Sequence, residues 1–154
     1  MKGHLVTLLL LLSSAIAGAK DWPAWRHDAG RSGATDETLP TTLHLQWTRK
    51  LPQLKPAWPE DNRLHFDDSY QPIVVGKIMM IASSSNDSVT AYNTDSGDQK
   101  WQFFADAPVR FAPVAHQGSV YFGADDGKLY QLNITNGKLI SKIKAAPSDR
   151  TALG

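Results

Sequence analysis

From residue 71 onward the chain carries one pattern twice, and that repetition constrains its fold more than any other feature. Pro72 matches Pro113, 41 residues on, while Asn93 matches Asn133 and Gly97 matches Gly137, each 40 residues on. Val89 falls on Leu129, Tyr92 on Leu132 and Phe103 on Ile143. The copies differ in length at turns, notably Ser84-Ser85-Asn86-Asp87, where an insertion leaves strand pairing untouched. Within each copy, short β-branched and aromatic runs alternate with Gly, Asn and Asp clusters, which is the grammar of strands and tight turns. It predicts strands at 72–75, 77–83, 89–93 and 100–104, then at 112–116, 119–123, 128–133 and 139–144. No window sustains a helical period.

A period near 40 residues with four short strands fits a blade of a β-propeller. A four-stranded sheet cannot bury both faces alone, so such units stack on neighbours. The expected fold class is therefore all-β: four-stranded antiparallel blades, about two of them (71–104 and 112–144), in a ring that is not closed. Gly127 in Asp125-Asp126-Gly127 and Gly137 in Thr135-Asn136-Gly137 mark hairpin turns. Propellers have 4 to 8 blades, and a ring of seven or eight needs roughly 280 to 320 residues. The expectation is an N-terminal portion of a longer protein, with residues 145–154 a truncated linker; the alternative is a ring assembled from several chains.

Residues 1–19 read as a signal peptide: Lys2, an apolar run from Leu5 to Ile16, then Ala17-Gly18-Ala19, with cleavage after Ala19. An uncleaved anchor is the alternative, but the run is about a dozen residues where a span needs roughly 20. Localisation is then periplasmic or secreted, with no membrane anchor after cleavage. The sequence contains no cysteine, which removes disulfides, thiolate chemistry and an N-terminal lipid-carrying Cys. Of 16 Lys and Arg against 15 Asp and Glu, Lys2 alone lies in residues 1–19, so the remainder balances at 15 and 15. A net charge of zero argues against nucleic acid as a partner. Residues 20–70 form a lead-in: Leu43 to Trp47 alternates as one half-buried strand would, and Pro52, Pro56 and Pro59 then break the chain into a long loop.

The segment APVAHQGSVYFGADDGKLYQLNITNGKLISKI, with AYNTDSGDQKWQF before it, resembles the PQQ-like repeat of the quinoprotein alcohol dehydrogenase-like propeller superfamily. The opening DWPAWRHDAGRSGATDETLPTTLHLQW resembles the N-terminal lead-in of exported bacterial members. The resemblance implies that Trp101 packs between adjacent blades and that a terminal strand closes the ring. The second copy departs from the pattern, with Ser141 where Trp101 stands in the first. Pro72, Gly97, Trp101, Pro113, Gly127 and Gly137 are the residues on which the repeat rests.

Candidate chemistry is sparse. Asp67-Asp68 with Glu60 and Asp61 could ligate Ca²⁺ or act as an acid–base pair, but they lack the EF-hand spacing, and a solvated loop is the plainer reading. Asp87, Asp125 and Asp126 sit in repeat turns, where Asp favours the backbone geometry itself. His27, His44, His65 and His116 show no ligand spacing. Ser83 to Ser85 lack a nucleophile-elbow context. Asn86 and Asn133 match the glycosylation acceptor pattern at turns where Asn is expected anyway. Trp22, Trp25, Trp47, Trp58 and Trp101 could form a stacking surface for a sugar or quinone ring. Blade packing accounts better for Trp47 and Trp101, which leaves Trp58 as the best candidate for a surface contact. No catalytic or metal residue is assigned.

Two functions follow from the resemblance. One is a non-catalytic exported propeller, a scaffold or binding module for a protein or polymer partner, without cofactor, whose other contacts are the remaining blades or copies of itself. The other is part of a quinoprotein dehydrogenase holding PQQ beside Ca²⁺. The resemblance implies a vicinal disulfide, a catalytic Asp and Ca²⁺ ligands for that branch, none of which maps onto these residues.

Overall fold

The computed structural model describes residues 20–145. The signal-peptide reading with its cleavage at Ala19, and nearly all of the 145–154 segment, fall outside those residues. Eight strands form two sheets in sequence order: β1 (Ile73–Val75), β2 (Ile78–Ser83), β3 (Ser88–Asn93) and β4 (Gln99–Phe104), then β5 (Val114–His116), β6 (Ser119–Gly123), β7 (Lys128–Asn133) and β8 (Leu139–Lys144). Every pairing is antiparallel between consecutive strands, so each sheet is a meander. These are two blades, and the fold is the all-β propeller architecture expected. Among the described residues the one helical element is a 3-10 turn, Asn62–Leu64, capped by Asp61.

The repeat holds at the level of single hydrogen bonds. Ala91 stands opposite Trp101 in the first blade and Gln131 opposite Ser141 in the second, and each β3–β4 or β7–β8 ladder shifts register one residue later. The turns after β3 and β7 are built alike. Asn93 Oδ1 accepts from Asp95 N at 2.8 Å and Asn133 Oδ1 from Thr135 N at 3.0 Å. Gly97 N and Gly137 N donate to the Asn93 and Asn133 carbonyls at 2.8 and 2.9 Å. The side chain thus closes a turn that the backbone alone would close less firmly, which is why Asn recurs there.

Both glycines are left-handed, at φ +74° and +68°, and both lie under an indole. A Cβ on Gly137 would stand 2.6 Å from the Trp101 ring, and one on Gly97 2.7 Å from the Trp47 ring. Trp101 Nε1 donates to the Ile134 carbonyl at 2.9 Å, and Trp47 Nε1 to the Thr94 carbonyl at 2.8 Å. A tryptophan therefore seats on the glycine turn of the next sheet twice in succession. Trp101 does so from β4 of the first blade onto the second, buried in the core. Pro72 directly precedes β1 and Pro113 directly precedes β5, positions where a missing N–H costs no ladder bond. Gly127, at φ +73°, turns β6 into β7.

The core lies between the blades. Phe103 of β4 meets Phe122 and Tyr130 edge-on at 6.2 and 5.9 Å, and Phe122 and Tyr130 stack at 5.1 Å. Ile73, Met80, Val89, Val120 and Leu132 are fully buried around them.

Residues 43–47 form no strand, contrary to the alternation of their sequence. A strand is defined by a ladder, and no described segment lies beside this one, so Leu43 and Leu45 stay exposed at 72% and 83%. The segment is nonetheless held at its end: Trp47 sits on Gly97, and Arg49 Nη2 donates to the Gly97 carbonyl at 2.8 Å with its guanidinium over Tyr92.

Candidate functional site

The short inner strands β1 and β5 are stapled together by the lead-in. Trp22 pairs with Val74 through both backbone groups, at 2.7 and 2.8 Å, and the Pro23 carbonyl accepts from Ala115 N at 2.8 Å. Asp21 Oδ1 accepts from Gly76 N at 2.6 Å. The chain then folds back sharply. Arg26, His27 and Arg31 all adopt positive φ, at 58°, 80° and 54°, a conformation that L side chains adopt at a cost. Asp28 holds the turn by accepting from Ser32 N and Oγ at 3.0 and 2.6 Å, and these bonds keep its carboxyl below the usual carboxylate range. The strained turn presents Trp25 with the guanidinium groups of Arg26 and Arg31 over its ring, 5.8 and 5.3 Å from the centroid.

Trp25 and Arg31 form one wall of a cleft of about 640 Å³, a size suited to a small ligand or a stretch of polymer. Phe66, Gln71 and Phe111 line it as well. Phe66 and Phe111 lie nearly parallel, 6.1 Å apart with 8° between their planes, and Trp58 extends the series at 5.9 Å from Phe66. All three rings are about half exposed, at 52%, 50% and 57% for Trp58, Phe66 and Phe111. Three adjacent exposed aromatics depart from the scattered apolar residues of an ordinary surface and make this the candidate contact surface. Trp58 thus takes the surface position expected of it, whereas Phe66 and Phe111 escaped sequence reasoning. They are 45 residues apart in sequence and belong to no motif.

The loop that carries Trp58 and Phe66 is pinned by a buried ion pair. Asp67 is buried, and its Oδ2 accepts from Arg110 Nη1 at 2.8 Å and from Ala57 N at 3.0 Å. Arg110 also reaches Asp125 at 2.7 Å and the Lys55 carbonyl at 2.8 Å, thereby tying the loop to the β6–β7 hairpin. Burial pulls the guanidinium down in pKa, and its bonds to Asp67 and Asp125 more than restore it. This corrects the solvated-loop reading of Asp67, because an arginine 43 residues away in sequence makes burial of the carboxylate tolerable. Asp68 is exposed and bonds to Ser69, and Asp61 caps the short 3-10 turn. Asp125 does more than shape its turn, since it is the second anchor of Arg110.

A second ionic cluster lies at the outer end of the interblade seam. Lys128 pairs with Asp106 at 3.1 Å and Asp126 at 2.9 Å, and Lys142 pairs with Asp106 at 2.6 Å. Tyr130 Oη donates to Asp126 at 2.7 Å, and burial together with this carboxylate pushes its phenol up to about 12. Burial raises the Asp126 carboxyl, but the bonds from Tyr130 and Lys128 outweigh it and leave it lowered.

Among the described residues the carboxylates do not assemble a Ca²⁺ site. Among the described residues Asp67 is the fully buried carboxylate, and it already faces a guanidinium, which a divalent cation would have to displace. Among the described residues no three acidic or imidazole side chains converge as a metal site. His27 is packed against Trp22 at 4.8 Å, and His65 bonds to the Pro59 carbonyl at 3.0 Å. No described helix is long and apolar enough to cross a membrane.

A PQQ-type family profile described as outer membrane protein assembly factor BamB matches residues 44–153. Among solved structures, quinohemoprotein alcohol dehydrogenase from Comamonas testosteroni is similar over 81% of this chain and 19% of its own, at 22% identity and a TM-score of 0.58, which shows a shared fold. Europium-containing methanol dehydrogenase aligns over 49% of this chain and 15% of its own, at 24% identity and a TM-score of 0.45. BamB from Moraxella catarrhalis aligns over 44% and 21%, at 15% identity and a TM-score of 0.41. The chain therefore spans between 15% and 21% of the length of these proteins. No curated protein sequence matches it.

Proposed function

The chain belongs to the PQQ-like β-propeller family, and on that premise we propose that it is an exported, non-catalytic binding module that engages a protein or polymer through the aromatic face of its lead-in cleft. The observation that carries this reading is the exposed row Trp58, Phe66 and Phe111, held in place by the Asp67–Arg110 pair. Exposed rings on a loop pinned by a buried ion pair form a pre-organised surface, and pre-organisation lowers the cost of binding. The family description, an assembly factor, supports a macromolecular partner. The outer strand β8, unpaired on its far edge among the described residues and with Leu139, Ile140 and Ile143 about half exposed, offers a second contact for a further blade or another copy of the chain. Export rests on the run at 5–16 and on cleavage after Ala19, so the secreted protein should begin at Lys20.

The likeness in fold to a quinohemoprotein alcohol dehydrogenase favours the second reading, part of a PQQ- and Ca²⁺-dependent dehydrogenase. Thermal unfolding of the full chain with and without PQQ and Ca²⁺, alongside dye-linked alcohol oxidation, separates the two. The binding-module reading expects neither a shift nor oxidation. A ligand at 100 times its Kd adds about 2.7 kcal/mol of stability, and stabilisation of that size accompanied by oxidation would overturn it.

A further inference from the structure

We propose that residues 21–33 form a strained strap that leaves the inner edges of β1 and β5 as one unit while both blades stay folded, taking with it the part of the cleft that Trp25 and Arg31 line. The inference goes beyond the binding-module reading and does not depend on what the module binds.

Three observations define the strap. The first is its attachment. Four hydrogen bonds hold residues 21–23 to the blades: two between Trp22 and Val74, one from Ala115 N to the Pro23 carbonyl and one from Gly76 N to Asp21 Oδ1. Beyond this stem, among the described residues, no hydrogen bond joins 24–46 to residue 47 or any later one. The second is closure. His27 N donates to the Ala24 carbonyl at 3.0 Å, Gly33 N donates to the Arg26 carbonyl at 2.9 Å, and Asp28 accepts twice from Ser32. These bonds are internal to the turn and add nothing to its hold on the blades. Trp25, Asp28, Ala29 and Arg31 line the cleft, so open space separates much of the turn from the sheets. The third is strain. Arg26, His27 and Arg31 hold positive φ without being glycine, and such residues persist only where their surroundings over-determine them. Here the surroundings are the Asp28 brace and Trp22, whose ring meets that of His27 at 4.8 Å. Trp22 belongs to the stem, so detaching the stem withdraws packing from the strained turn, and loosening the turn withdraws packing from the stem. The two therefore open together, and a region held by few bonds opens locally well before the fold does.

The amides of Val74, Gly76 and Ala115 donate to the strap, so their hydrogen exchange reports its release. In the full chain, exchange followed residue by residue by NMR should give the three one common degree of protection, lower by about tenfold or more than that of the β2–β3 ladder. Asp28→Ala should lower the protection of all three by about tenfold, the worth of a lost charge-assisted bond, and leave the ladder unchanged. Arg26→Gly and Arg26→Ala both remove the guanidinium from Trp25, but only glycine accepts positive φ freely, so all three amides should be better protected in the glycine variant by about threefold or more. In every variant the ladder amides show that the blades remain folded. Three unlike degrees of protection, or a common one equal to that of the ladder, overturn the strap as a unit. A response of Val74 to Asp28→Ala that Ala115 does not share overturns the joint release from both blades. Equal protection in the glycine and alanine variants overturns strain as the source of the release.

Discussion

The two blades share a strand order, a register shift and a pair of Asn–Gly turns, yet they are buried very differently. In β3 of the first blade five of six residues are buried, while in β7 of the second only Tyr130 and Leu132 are. In the outer strands Trp101 of β4 is buried and β8 is exposed throughout. The difference lies in the neighbours. The first blade is covered on one side by Trp47 and Arg49 and on the other by the second blade, whereas among the described residues the second is covered on one side alone. A repeat sequence specifies a blade's hydrogen bonds, and stacking supplies most of its apolar burial. The backbone scaffold is thus the same in both blades while its stabilisation is not.

The largest expected effect comes from removing the contact between them. Trp101→Ala should cost about 3–5 kcal/mol in the full chain, read from denaturant midpoints at matched slopes. Trp47→Ala should cost clearly less, because Trp47 remains partly exposed where it covers the first blade. Equal losses would mean that the two seats are equivalent and that the contrast in burial does not matter.

The next effect sharpens the contrast at the ionic tie. Arg110→Met strands the buried Asp67 carboxylate and should cost about 3–5 kcal/mol, whereas Arg110→Met with Asp67→Leu should recover much of the loss, since an apolar pair often replaces a buried ion pair at little cost. If the double variant were as unstable as the single, the loop would owe its position to something else.

Gly137→Ala sets a Cβ against the indole of Trp101 in a left-handed turn and should cost about 1–3 kcal/mol. Gly97→Ala meets Trp47 in the same geometry, but a partly exposed indole can shift, so its cost should be smaller. Calorimetric melting temperatures of the two variants compare them directly. A larger loss at Gly97 would reverse the order of burial proposed for the two seats.

A pH dependence belongs to the second blade. Asp126 is lowered in the folded protein, so it contributes stability that is present above the unfolded carboxylate pKa and is lost as pH falls through the folded value. Asp126→Asn should therefore be less stable than the parent near neutrality, by about 0.5–1.5 kcal/mol, and should lose less on acidification below about pH 4. Parallel urea titrations at neutral and acid pH would show it, and identical acid sensitivity in both proteins would remove Asp126 from the account. Smallest of all, Trp58→Ala should change stability by no more than about 0.5 kcal/mol, as befits a half-exposed loop residue.

The strands of the repeat were legible because period-two alternation and Gly, Asn and Asp turns are local signals. The surface position of Trp58 followed from the prolines around it, whereas the blade contact of Trp101 was implied by the family resemblance rather than by its own segment. The alternation at 43–47 was read correctly as apolar and polar by turns, but a ladder needs a partner, and partners are not written into the strand itself. The cleft was almost wholly illegible. Phe66 and Phe111 meet across 45 residues, Arg110 reaches back to Asp67 across 43, and Arg31 is brought to the cleft by a turn in which Arg26, His27 and Arg31, as well as Gly33, are left-handed.

What the sequence by itself determined was the repeating unit: its period, its four strands and the chemistry of its glycine turns. These depend on residues within one or two turns of each other, where backbone sterics and hydrogen bonding act without help from the rest of the chain. Only the tertiary structure decided which blade is buried, where a carboxylate could be hidden, and which aromatics stand together at the surface. Those outcomes depend on desolvation and on the meeting of distant side chains, and both are properties of a stacked pair of sheets rather than of any one segment.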